Sequence, residues 1–339
     1  MNFFLFVLAT ATIFIRPGEI FTALHGFEFF FYLIIPCILL SFPSILAQMT
    51  QRNLQVQPIT LCVFGLMVAV VVSNLVHFDI ETDMWMLFLK NVVYYILLVS
   101  LVNTPSRFMQ ILFWVWLFAL VFSAVALLQY FGYIELNFED IVKNEYEDES
   151  GETTMVSRMI GSGLFADPND MCVVIIMGFI LSVYWAMGDH LFRLPRLLYL
   201  ASSLVFGFAL LKTQSRSGFI SLMVSSGVLL LIRYGLKKGA MLGAAALPLV
   251  LIVFSGRITK ISSHEATGQS RIWLWDNGFG FFKSSPLFGI GAGKFQVFDD
   301  SHHAAHNAYV NSYAELGLFG GTLFVGAFFF SAEHTLPYG

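Results

Sequence analysis

Polar chemistry in this chain is gathered in four short segments, each set against a long apolar run. In KTQSRSG (212–218), Lys212 and Arg216 lie in a connection of only a few residues between two apolar runs. An arginine held between two helix ends can pair bidentately with a phosphate, which its planar fork suits better than an ammonium does. The alternative is a side chain that only snorkels to the membrane interface. In SRMIGSGLFADPND (157–170), Gly161 and Gly163 loosen the backbone, and Asp167, Pro168 and Asn169 form a turn and helix-cap signal. Capping is their expected role, and Arg158 is left near the outer membrane face. In TGQSRIWLW (267–275), Arg271 is followed by Trp273 and Trp275, and it reads either as a surface anchor or as a second phosphate ligand. In SHHAAHNAYVNSYAELGLFGG (301–321), His306 precedes an apolar run that carries Asn307, Asn311 and Glu315. These three recur every four residues and share one helical face. An imidazole at a helix entrance is often only a satisfied polar group, but a polar face carried into a membrane is costly and is read as functional. His302, His303 and His306 invite a metal reading, yet zinc wants a further ligand and a defined scaffold, so no metal is expected.

The elements that must position these residues follow from composition. The chain is 57% hydrophobic and 12% charged over 339 residues, against about 25% charged in soluble domains, so its surface calls for lipid. Apolar runs recur near 3–15, 27–46, 59–77, 85–102, 108–131, 170–187, 196–213, 218–234, 240–255 and 308–330, which predicts about ten membrane helices. The fold class is therefore all-α: a polytopic integral membrane helical bundle with two longer out-facing loops, near 132–169 and 256–307. No stretch is left for a separate soluble core, so 1–339 reads as a single membrane domain. Arg52, Arg107, the pair Arg193 and Arg196, and the group Arg233, Lys237 and Lys238 fall in alternate connections, which the positive-inside rule assigns to the cytoplasm. The acidic segment Asp79 to Asp83, both long loops and all four polar segments then face outward.

Several other features read as structural. The acidic stretch NFEDIVKNEYEDESGE (137–152) reads as a solvated, mobile loop, whereas 256–307 mixes cations with Trp and Phe and could lie on a membrane surface. GIGAGKF (289–295) is not a nucleotide loop, because no strand precedes it; a flexible turn at the membrane boundary is simpler. Cys37, Cys62 and Cys172 are odd in number and lie within apolar runs, so no disulfide framework is expected. The N-terminus has neither a basic region nor a small-residue cleavage site and reads as a retained helix. No basic cluster interleaves with exposed aromatics, so nucleic acid is not an expected partner.

Together the four segments resemble the O-antigen ligase and polymerase superfamily of bacterial envelope enzymes. The pieces are R-x-x-G with F-x-D-P-N (Arg158 to Asn169), S-R-S-G (Ser215 to Gly218), S-R-x-x-x-W (Ser270 to Trp275), P-L-F-G-I-G-x-G (Pro286 to Gly293), and H-N-x-Y with E-L-G-L-x-G (His306 to Gly320). They span roughly 155–326, and R-P-G-E at Arg16 to Glu19 looks like the start of some members. The resemblance implies a metal-independent, cofactor-free glycosyltransferase in the bacterial inner (cytoplasmic) membrane. It would take a glycan from an undecaprenyl-diphosphate-linked donor and attach it, on the periplasmic face, to lipid A core, a growing polysaccharide or a protein acceptor. By motif, Arg216 and Arg271 would hold the diphosphate with Arg158 as a third cation, and His306 would act on the acceptor hydroxyl. Asn307, Asp167 and Asn169 would support them, and Glu315 would orient the imidazole if the chain bends back there. Members generally continue past the H-N helix with further spans, so the polar tail SAEHTLPYG suggests a truncated C-terminus. The rival readings are a lipid-linked oligosaccharide flippase or transporter, and an inactive fragment that binds the carrier lipid.

Overall fold

The computed structural model describes residues 1–20, 22–24, 26–77, 82–136, 141–147, 153–188, 194–258, 266–299 and 304–335. His302, His303, Arg193, Asp79 and the last four residues lie outside the described residues. In chain order the helices and strands are α1 (Asn2–Ile15), α2 (Pro17–Ile20), α3 (Phe29–Gln48), α4 (Gln51–Val56), α5 (Pro58–Val76), α6 (Thr82–Leu101) and α7 (Pro105–Tyr130), then β1 (Ile141–Glu147) and β2 (Thr153–Met159). They continue with α8 (Pro168–Ala186), α9 (Leu194–Thr213), α10 (Arg216–Ile258), α11 (Ala266–Ser284), α12 (Phe295–Phe298) and α13 (Ala308–Thr335).

Among the described residues, seven helices are long and apolar enough to cross a membrane: α3, α5, α7, α8, α9 and the apolar parts of α10 and α13. α1 and residues 86–101 of α6 are shorter apolar helices. Helices cover the ten expected apolar runs, most ends agreeing within one to four residues, but α1 and the apolar part of α6 fall short of spanning length. α10 covers two of those spans. It breaks at Gly235 (φ 75°, ψ 169°), a conformation open to glycine, just before the basic pair Lys237 and Lys238. Side chains such as Leu204 (74% exposed) and Ile232 (79%) project from the spans. Apolar surface on this scale belongs in hydrocarbon. The protein is thus an all-α, multi-pass membrane protein.

Two parts of the long loops are more ordered than their composition suggests. The acidic stretch read as a mobile loop contributes to an antiparallel hairpin, β1 on β2, with Val142 opposite Arg158 and Glu147 opposite Thr153. Backbone pairing across a short reversal stabilises it whatever the charge of its side chains. The second loop contains the 19-residue helix α11. Its polar residues hide it from a hydropathy threshold, but Leu274 and Gly278 lie four apart and are buried, while Ile272, Trp273 and Phe279 are exposed.

Contacts group the chain into two compact units, Met1–Leu39 with Val102–Ser263, and Leu40–Leu101 with His264–Gly339. In the first, α8 packs on α7, α9 and α10, and α1 packs on α7. Close approach comes from small residues: a side chain at Gly178 would collide with the ring of the fully buried Phe206, and Trp116 Nε1 donates to Ser182 Oγ (2.8 Å). In the second, α13 packs on α5 and α11. Leu66, Val70, Ala292 and Leu316 form one core cluster, and Leu274, Phe295, Ala305 and Ala314 form another.

Candidate functional site

The first unit gathers Arg158, Asp167, Asn169 and Arg216. Asp167 caps α8, its carboxylate accepting from the Asn169 amide at 2.7 Å, as the turn signal suggests. That capping turns the Asn169 side chain toward the start of α10. There Asn169 Oδ1 accepts from Ser215 Oγ (2.6 Å) and from Ser217 Oγ (3.1 Å), the two residues on either side of Arg216. Ser215 also caps α10, accepting from the Gly218 amide at 3.1 Å. The glycine of S-R-S-G is required for packing, because a Cβ at Gly218 would run into the Cys172 side chain of α8. Arg216 is thus the first residue of a long helix and half-buried, with its flanking hydroxyls tied to a second motif. The unpaired amides and dipole of a helix N-terminus favour an anion at this end.

Arg158 reaches the same end from β2, where Arg158 Nε donates to the Thr213 carbonyl (3.0 Å), three residues before Arg216. The intervening Gln214 takes a left-handed φ of 51°, and its side-chain Nε2 donates to the Ser157 carbonyl (3.5 Å). Lys212 lies over the rings of Tyr130, Phe131 and Phe208, 5.2–5.7 Å from their centroids. It is an aromatic-anchored cation, as the snorkelling alternative describes.

The second unit holds Arg271, His306, Asn307, Asn311 and Glu315. Asn307 Oδ1 accepts from the Tyr309 (3.0 Å) and Val310 (3.3 Å) amides, which makes it the N-terminal cap of α13. The exposed His306 comes just before that cap with a left-handed φ of 48°, a backbone state costly for a residue with a Cβ. Trp275 Nε1 donates to the carbonyl of Ala305 (3.0 Å), fixing the approach to His306 from α11. The half-buried Arg271 lies one turn earlier on that face of α11, four residues from Trp275.

Glu315 anchors the glycine-rich segment that precedes α13. Its carboxylate accepts from the amides of Gly293 (2.9 Å) and Phe295 (3.1 Å), and Asn311 hydrogen-bonds it one turn back, as the four-residue period implies. Among the described residues no hydrogen bond joins it to His306; the chain does not bend back there, and α13 instead breaks two residues beyond Glu315, at Gly317 (φ 64°, ψ −161°). The glycine-rich segment 286–295 wraps that break. Gly291 N–H donates to Glu315 O (3.2 Å), Ile290 N–H to Ala314 O (3.0 Å), and Leu318 N–H to Pro286 O (2.8 Å). Side chains at Gly289 or Gly317 would collide with the opposing backbone, so both glycines are needed for the approach.

Two contributors went unnoticed in the sequence. Ser73 Oγ donates to Glu315 O (2.7 Å), and Asn74 Oδ1 accepts from Ala292 N (2.6 Å). The available signal was a buried polar pair near the end of an apolar span, which must find partners. Among the described residues no group of three or more His, Cys, Asp and Glu stands together.

Fold and residues together define a polytopic helical membrane protein with Arg216 at the start of α10, Arg158 in β2, Arg271 on α11 and His306 just before α13. Residues 201–325 match the family model of the O-antigen ligases, so this part of the chain is similar to that family. The matched stretch includes Arg216, Arg271, His306, Asn307 and Glu315; Arg158, Asp167 and Asn169 lie before it. No curated protein matches the chain. An enzyme role of the O-antigen ligase type, in general terms, is what this match supports.

Proposed function

We propose that the protein is a glycosyltransferase that moves a glycan from undecaprenyl diphosphate to an acceptor hydroxyl, on the periplasmic face of a bacterial inner membrane. In the reaction the acceptor oxygen attacks the anomeric carbon of the donor sugar. The bond from that carbon to the diphosphate breaks, and undecaprenyl diphosphate leaves with the electron pair. His306 takes the proton of the hydroxyl, a contribution worth roughly 100-fold to 10,000-fold. Arg216 and Arg271, with Arg158, hold the diphosphate and stabilise the charge that develops as it leaves. No step requires a nucleotide or a metal ion. The acceptor is lipid A core, a growing polysaccharide or a protein hydroxyl.

The observation that carries this reading is the junction of Asn169 with Ser215 and Ser217, which brackets Arg216 at a helix N-terminus. An arginine so held, where the helix itself favours an anion, suits a phosphate better than it suits a surface anchor. The exposed His306 in a left-handed backbone supports its role as the proton acceptor.

The test is transfer in reconstituted membranes from a polyprenyl-diphosphate oligosaccharide, with chelator present and no nucleotide. The expected result is transfer by the parent and a loss of at least about tenfold in Arg216→Ala, the size of one charge-assisted phosphate contact. Undiminished transfer by Arg216→Ala would remove the diphosphate assignment. Lipid-linked glycan crossing the bilayer without transfer would favour a flippase.

A further inference from the structure

Three described non-glycine residues have a positive φ: Gln214, His306 and Arg16. The first two adjoin the segments already assigned to the site. Arg16 closes α1 with φ 41°, and nothing above gives it a task. Its guanidinium lies over Gly163, so close that a Cβ on that glycine would overlap Arg16 Nη1 and Cζ. Two residues earlier a side chain at Gly161 would strike the Phe122 ring, so that position is tightly packed. Phe165 completes the junction, stacking on Phe14 of α1 (5.9 Å between centroids) and meeting Phe122 of α7 edge-on (5.2 Å). The G-S-G-L-F turn thus seats Arg16 five residues along the chain from Arg158.

Between α1 and α7 lies a small apolar groove lined by Phe14, Ile15, Val121, Val125 and Ala126 and reaching Ser162. Ser162 lines the groove and precedes Gly163, over which the Arg16 guanidinium lies, so the cation sits one residue along from the Ser162 end. We infer that this groove takes the first isoprenoid units of the carrier lipid and that Arg16 binds its diphosphate, alongside Arg158 and Arg216 of the same unit. The chemistry selects a prenyl diphosphate over a phospholipid. In the former the hydrocarbon begins at the carbon bonded to the phosphate oxygen, so an apolar channel starting beside a guanidinium matches it. In the latter a polar glycerol diester separates phosphate from chain. This inference rests on the carrier-lipid reading of the proposed function and adds the residue and the groove.

The test uses the full chain in nanodiscs and measures binding of undecaprenyl diphosphate. Arg16→Ala is expected to weaken binding about tenfold, with Arg16→Lys retaining part of it, because an ammonium keeps the charge but loses the bidentate fork. Val125→Trp, which fills the groove, is expected to weaken it by a similar factor. Since either variant could disturb packing, the parent is also irradiated with a diazirine-bearing prenyl diphosphate. Label on the peptide containing Val121 and Val125, displaced by undecaprenyl diphosphate and not by phosphatidylglycerol, is the expected outcome. Label confined to other peptides, or displaced equally by phosphatidylglycerol, overturns the groove assignment. Parent-like binding by folded Arg16→Ala overturns the role of Arg16 while leaving the carrier reading intact. A parent that does not bind undecaprenyl diphosphate at all sinks both.

Discussion

At the scale of single residues, the backbone conformation of His306 separates chemistry from stability. A residue with a Cβ at φ 48° is strained by about 1 kcal/mol, and glycine relieves this. His306→Gly is therefore expected to unfold at the same temperature as the parent or slightly above it, in a thermal-shift measurement. Transfer should nevertheless fall by about 100-fold or more, as removal of a general base requires. Carrier binding in the same variant should stay within about threefold of the parent, since a base that acts only on the acceptor hydroxyl adds little to ground-state affinity. Retained transfer in a folded His306→Gly would leave the imidazole with no role in catalysis. The candidate residue was legible because a histidine ahead of a polar face in an apolar run is unusual. Its left-handed conformation was not, since that depends on the hydrogen bonds made by Asn307 and by Trp275, 31 residues earlier.

At the scale of elements, local signals were readable and long-range ones were not. Asp167 acts as the cap its turn signal announces, because a cap satisfies an amide two or three residues away, whereas Asn307, expected on the polar helix face, caps α13 instead. Asn169 is different, since its partners Ser215 and Ser217 are 46 and 48 residues on. Asn169→Ala should weaken carrier binding about tenfold by releasing the serines around Arg216, a positioning effect. Asn169→Asp keeps an oxygen for both hydroxyls, so it should be more stable than Asn169→Ala. It also adds a negative charge beside the anion site, so its carrier affinity should be lower than that of the parent and should recover partly with salt. Equal stability in the two variants would mean that the hydroxyl contacts do not organise the α10 terminus. Glu315 was readable only as one member of a period-four face. That period accounts for its bond with Asn311 but carries no information on the amides of Gly293 and Phe295. Glu315→Gln leaves one of those buried amides without its charged acceptor and should destabilise the protein by about 1–3 kcal/mol, read as a lowered thermal midpoint. Gly317→Ala should do worse, since the backbone state there is one that glycine alone adopts and the space is filled by Leu287 and Phe288.

At the scale of the whole molecule, the spans were legible because lipid imposes one rule on every apolar run. The hairpin and α11 escaped that rule because pairing and amphipathic packing stabilise them instead of hydropathy. Sidedness is a separate property, carried by charge in the short connections. Tyr133, Gln269 and Ser284 lie in the out-facing loops of that reading, and Lys238 lies in the basic connection after Gly235. The three native cysteines, Cys37, Cys62 and Cys172, are free and buried, so the parent should be almost silent to a membrane-impermeant maleimide. Single replacements therefore report cleanly. In spheroplasts, Gln269→Cys and Tyr133→Cys should label without permeabilisation, and Lys238→Cys only after it. Arg158, Arg271 and His306 lie in the loops probed by the first pair, and Arg158 is bonded to the Thr213 carbonyl beside Arg216. Labelling of Lys238→Cys in intact spheroplasts, with Gln269→Cys and Tyr133→Cys protected, would turn those residues toward the cytoplasm. A lipid-linked donor presented on the periplasmic face could not then reach them, and the proposed direction of transfer would fail together with the topology.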